Sequence, residues 1–260
     1  MLLRRVIEHV KTQNWFAVGL DFVIVVVGVF IGIQVANWNA ERLQTLKGVQ
    51  FSERLQADLR LEHENWQALV DYLGVVRDNA DSAAVILEGR IEASDEALLI
   101  HAYRATQYMY SVRWRATFEE LTSTGSLGLI KDQGLRDSAV IFYRWQAIEE
   151  SFAEGSGSRF RSLFRGLLSV VVQDALTQHC GDRIVYLGGL GRTRLQLDHD
   201  CETGLSSTEI GAAAAALREH PDILPALRLR AMNLRTSLSN LTEAAADISE
   251  GLRPFVEAAP

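Results

Sequence analysis

Residues 15–38 read WFAVGLDFVIVVVGVFIGIQVANW, an apolar run interrupted only by Asp21 and Gln34. At 1.5 Å per residue its terminal tryptophans, Trp15 and Trp38, stand about 34 Å apart. That matches the ~30 Å hydrocarbon layer plus the interfaces where indole rings settle. The stretch therefore predicts a transmembrane helix with Trp15 and Trp38 as its interface anchors. A soluble core helix is seldom this long and this rich in Val and Ile. Nor does the run close like a cleaved signal. Ala36 and Ala40 have Gln34 and Trp38 two residues earlier, where a small residue is required. The expectation is an uncleaved anchor.

The flanks set the orientation. Arg4, Arg5 and Lys11 precede the span and Arg42, Lys47 and Arg54 follow it, so basic residues alone give a tie. The N-terminal flank is short and holds one acid, Glu8, whereas the excess of acid over base lies in the long C-terminal part. Anionic cargo crosses more readily than a basic tail, which places residues 1–14 in the cytoplasm and 39–260 outside, in the periplasm of a bacterial inner membrane.

Composition narrows the function classes. The 260 residues carry a net charge of −7, with 26 Lys plus Arg against 33 Asp plus Glu, so a phosphate-binding surface for nucleic acid is not expected. Hydrophobic residues make up 48%, enough for a core. All four prolines lie at or after Pro221, leaving the first 220 residues free to form long helices.

Within the span, Asp21, Val25, Gly28, Gly32 and Val35 fall on one stripe, and Gly28 to Gly32 forms a GxxxG pattern that permits close helix approach. A carboxylate facing lipid is costly, so Asp21 either reaches the interface or faces a partner. The string from Asp21 to Asn39, followed by Glu41 and Arg42, resembles the signature of the bacterial DUF6090-type family of uncharacterised membrane proteins. The family shows an acid entering the span, a central Gly, then Gln and an Asn-Trp-Asn exit; the matching positions are Asp21, Gly28, Gln34, Asn37, Trp38 and Asn39. A second similarity lies in Phe118 to Tyr143, FEELTSTGSLGLIKDQGLRDSAVIFY, where Ser126 and Gly128 depart from the family's usual Asn and polar residues. The resemblance covers roughly residues 15–145. It implies an inner-membrane anchor bearing an external helical domain, and no activity. It joins Gln34 to Asp21, Gly28 and Gly32 as residues of helix association.

After the span, Leu55, Leu59, Trp66, Leu69, Leu73 and Val76 recur at helical spacing, predicting that the helix leaves the membrane and ends near Gly74. Further helices are expected over 95–109 and over 132–153, the latter with Ile141, Trp145, Ile148 and Phe152 on one stripe. After Gly155-Ser-Gly-Ser158 comes a helix carrying Phe160, Phe164, Leu167 and Val171. Ser206 and Glu209 form a capping box opening an Ala-rich helix that Pro221 ends. In the last helix Leu227, Leu234, Leu241 and Ile248 recur every seven residues, as do Ala231, Leu238, Ala245 and Leu252. Alanine at half the second set suits close packing inside a bundle better than a coiled-coil dimer. The fold class is thus all-α, a transmembrane helix running into an extracytoplasmic bundle. One β-hairpin interrupts it near residues 184–198, where Ile184 to Leu187 and Arg192 to Leu197 alternate around glycines. Those glycines lack the Lys-Ser/Thr pair and following helix of a phosphate cradle.

Cys180 and Cys201 sit symmetrically about the hairpin, so strand pairing brings them together as a disulfide, in keeping with export. The alternative is a metal site of His179, Cys180, His199 and Cys201 with Asp198 or Asp200, although the spacing has no CxxC. No HExxH, GxSxG, P-loop or EF-hand pattern occurs, and paired acids such as Glu119-Glu120 and Glu149-Glu150 cannot face each other on a helix. Two functions follow as expectations. One is a cofactor-free, non-enzymatic binding or assembly module whose span meets a second copy or another membrane protein. The other is a membrane-tethered metal hydrolase using His179, His199 and Asp198 or Asp200.

Overall fold

In the computed structural model, residues 15–110, 113–188, 193–243 and 245–256 are described. The expected inner segment 1–14, the glycine turn at 189–191 and the side chain of Trp15 lie outside the described residues.

The apolar run opens a single helix, α1, Trp15–Leu87, of 73 residues, about 110 Å long at 1.5 Å per residue. From Phe16 to Lys47 every residue is exposed, and Gly48 is the first to be buried. Beyond it Leu55, Leu59, Trp66, Leu69, Leu73, Val76, Ala80 and Ala83 are buried at intervals of three, four and seven. The expected stop at Gly74 does not occur. A mid-helix glycine costs only about 1 kcal/mol, and the buried Leu73 and Val76 on either side hold the helix through it.

The other elements pack around the second half of α1. Helix α2, Asp95–Ala105, starts where the Ser94 hydroxyl accepts the Ala97 N–H. It stops short of residue 109 because the Thr106 hydroxyl takes the Tyr103 carbonyl, ending the ladder. Helix α3, Ala116–Ser123, leads into a 3₁₀ turn at Leu127–Leu129. The expected helix over 132–153 is two, α4, Gln133–Arg144, and α5, Ala147–Ser156. Trp145 between them turns to extended backbone and sets its ring edge-on to Trp66, 5.5 Å between centroids. The expected stripe is corrected accordingly. Ile141 faces solvent, and α4 buries Leu135, Ala139, Phe142 and Tyr143 instead.

A similar break separates α6, Arg159–Leu167, from α7, Val170–Cys180, because Ser169 caps a new helix through the Val172 N–H. Phe160 and Phe164 are buried, whereas Val171 is exposed. Strands β1, Arg183–Tyr186, and β2, Thr193–Gln196, pair antiparallel with Ile184 opposite Leu195. Ser206 and Glu209 close a full capping box on α8, Ser207–Glu219. Helix α9, Ile223–Thr242, and α10, Ala246–Val256, share the heptad seam. Leu227, Ala231, Leu234, Leu241, Ala245 and Leu252 are buried in the common core, with Leu238 and Ile248 partly so. The seam is intramolecular, facing α1 through α9 and α1 with α4 through α10. Trp66 ties it down by donating to the Leu241 carbonyl at 2.9 Å. The molecule is all-α with one two-stranded hairpin.

Candidate functional site

The cysteines are joined. Cys180 closes α7, Cys201 follows β2, and their sulfurs form a disulfide across a Cα separation of 5.3 Å. Arg104 comes from the last turn of α2 to brace this junction. Its Nε donates to the Cys180 carbonyl at 3.3 Å and its Nη2 to the His199 carbonyl at 2.5 Å, with Cys201 Sγ 3.6 Å from the same nitrogen. Burial pulls the Arg104 guanidinium down from its ordinary value, with Asp198, Asp200 and Asp182 opposing that loss. Beside it, the Tyr72 hydroxyl donates to Asp182 Oδ1 at 2.9 Å, and burial raises both groups. Arg194 of β2 meets Asp71 of α1 at 2.9 Å, so the hairpin is clasped to the long helix.

This geometry corrects the metal reading. Both sulfurs are spent on each other, and His199 Nε2 lies 2.8 Å from the Gly181 carbonyl oxygen rather than beside a second ligand. His179 lies against Gly204, and Asp198 and Asp200 are exposed. Among the described residues no three His, Cys, Asp or Glu converge on a common point.

In the apolar half of α1, Asp21, Val25, Gly28, Gly32 and Val35 keep to one face, and the space where a Cβ would stand on Gly28 or Gly32 is open. Gln34 does not join them. Six residues past Gly28, it lies about 120° round the helix at 100° per residue. Trp38, at the bundle-side end of the apolar run, is exposed.

Between the apolar run and the bundle lies a feature with no single-segment signal. Gly48 lets α1 press against the 3₁₀ turn so tightly that a Cβ would collide with the Leu129 carbonyl oxygen. Beside this contact opens a cleft of about 890 Å³ whose walls are Gln44 to Arg54 of α1 and the loop from Glu120 to Leu129. Its lining carries two bases, Lys47 and Arg54, and two acids, Glu53 and Glu120. Arg54 is held by Glu120 at 2.7 Å and lies over the Phe51 ring. Thr124 donates to the Glu120 carbonyl at 2.7 Å and stands 2.9 Å from the Ser126 hydroxyl.

Two buried ion pairs serve the bundle itself. Glu62 accepts from Arg113 Nε at 2.8 Å and from the Trp114 N–H, and burial nonetheless raises its carboxyl above the usual range. Arg230 donates to Glu154 and to the Ala105 and Gln107 carbonyls.

No family model, curated protein or solved structure matches the chain.

Proposed function

We propose that this protein is a membrane-anchored, non-enzymatic binding or assembly module of the bacterial inner membrane. Residues 1–14 face the cytoplasm and the helical bundle faces the periplasm. The observation that carries the reading is the unbroken helix α1, whose exposed apolar half runs without a hinge into the core of the bundle. A segment this apolar and this bare of intramolecular cover needs lipid around it. The disulfide agrees with an oxidising compartment, and the likeness of Asp21 to Arg42 to the DUF6090-type signature points the same way.

The span meets its partner through helix contacts in the bilayer. The stripe of Asp21, Gly28 and Gly32 is the surface for that contact, with a second copy or another membrane protein. An association assay in bilayers tests it. Gly28→Ile and Gly32→Ile push the helices apart and abolish most of the signal, Asp21→Asn weakens it modestly, and Val27→Ile on another face leaves it unchanged. Equal signals from all four would remove the stripe from the account. The hydrolase alternative would need His179, His199 and Asp198 or Asp200 to share a metal, and among the described residues no three such groups converge.

A further inference from the structure

We propose that the cleft beside Gly48 is a binding site for a zwitterionic phospholipid, with an ethanolamine-type headgroup seated between Lys47 and Glu53. The inference rests on the membrane reading of α1. Three observations carry it. The lining is charge-balanced, with Lys47 and Arg54 against Glu53 and Glu120. Arg54 and Glu120 already satisfy each other, which leaves Lys47 to receive a phosphate and Glu53 to receive an ammonium. A simple anion would meet both carboxylates, and a simple cation would meet both bases. The volume of about 890 Å³ lies within the range of small-molecule sites and exceeds what one headgroup fills, leaving room for the glycerol.

Position supplies the third observation. Along the helix axis from Trp38, Gln44 stands about 9 Å out, Lys47 about 14 Å and Glu53 about 22 Å, so the cleft begins just past a headgroup layer some 5–7 Å thick and extends away from it. Leu43 lies one turn below Lys47 and Leu46 one turn below Gln50, on the same helix face, and both leucines are 53% exposed. Apolar side chains nearer the bilayer with a polar, two-signed cleft above them repeat the order of a phospholipid drawn out of the leaflet by a turn of helix or more, its chains on Leu43 and Leu46.

Titrating the full chain in maltoside micelles tests this, with heat of binding as the readout. The probes are monomeric dihexanoylphosphatidylethanolamine, dihexanoylphosphatidylglycerol and chain-free glycerophosphoethanolamine. Saturable one-site binding of the first is expected, with Lys47→Gln and Glu53→Gln each weakening it about tenfold, the weight of one charge-assisted hydrogen bond. Arg235→Gln, at an ion pair with Asp81 elsewhere on the bundle, leaves it unchanged. Equal affinity for phosphatidylglycerol would overturn the zwitterionic assignment, and equal affinity for the chain-free headgroup would overturn the lipid as its source. No binding, or binding indifferent to both substitutions, would overturn the site. Flotation of the same protein with phosphatidylethanolamine vesicles separates the two claims. A chain that floats but gives a flat titration refutes only this inference, and one that fails to float refutes the membrane reading beneath it.

Discussion

Arg104 joins three segments of chain that are far apart in sequence: α2, the end of α7 and the strand exit at His199. Replacing it with Met keeps the volume of the stem but leaves two buried carbonyls without donors. The expected loss is about 3 kcal/mol in chemical denaturation, since each orphaned buried group costs about 1–3 kcal/mol. A loss under about 1 kcal/mol would show that water replaces the guanidinium. Asp182 makes a prediction about pH. Burial raises its carboxyl above the unfolded value, against the weaker pull of Tyr72, His199 and Arg104. A raised acid favours the folded state below its unfolded pKa, and that contribution is lost as pH climbs through the folded pKa. Asp182→Asn keeps an acceptor for the Tyr72 hydroxyl and removes the titration. Relative to the variant, the native protein should therefore lose melting temperature steadily as pH rises from about 4 toward neutrality. Parallel melting curves across that range would contradict the burial argument. Neither residue announces itself in the sequence. Arg104 sits in an ordinary amphipathic stretch, DEALLIHAYRA, and nothing local separates a bracing arginine from a solvated one.

The elements divide by whether their causes are local. Ser206 with Glu209 predicts the start of α8 because a capping box is complete within four residues. The hairpin and the pairing of Cys180 with Cys201 follow from symmetry about a turn. By contrast, the breaks at Trp145 and Ser169 have no such signal. Trp145 leaves the helix to pack on Trp66, some eighty residues earlier, and that gain is invisible to periodicity. Gly74 errs in the opposite direction, because a local helix breaker is overruled by core packing. Two stability predictions belong here. Gly74→Ala should stabilise the protein by about 0.5–1 kcal/mol, since the residue is helical and its Cβ position is open. A decrease on substitution would mean that the glycine serves a contact. Cys180→Ser with Cys201→Ser should cost about 3 kcal/mol, by freeing the loop in the unfolded chain. Reduction of the native protein should lower its melting temperature to match the double variant, and a native protein indifferent to reductant would contradict the clasp.

At the scale of the whole molecule, α1 is the spine, bare and apolar over its first half and covered by the bundle over its second. Its apolar half was legible as one long helix from Trp15 to Trp38 alone, because an unbroken apolar run is recognised without reference to any other segment. Its second half was half legible, from the periodic Leu55 to Val76. The cleft was not legible, because its two walls come from residues 44–54 and 120–129 and meet only through the close approach at Gly48. A substitution tests that approach. Gly48→Leu should force α1 away from Leu129 and destabilise the protein by about 1–3 kcal/mol, the cost of overpacking a tight contact. Full stability in urea denaturation would show that the turn yields freely. Beneath all of this lies the claim that α1 crosses a membrane with the bundle on the outer side, and a single cysteine tests it most directly. The two native cysteines are bonded to each other, so a thiol placed at the exposed Glu92, in the turn between α1 and α2, reports alone. Treatment of intact spheroplasts carrying Glu92→Cys with a membrane-impermeant maleimide should label the protein as fully before lysis as after it. Protection until the membrane is broken would contradict the topology.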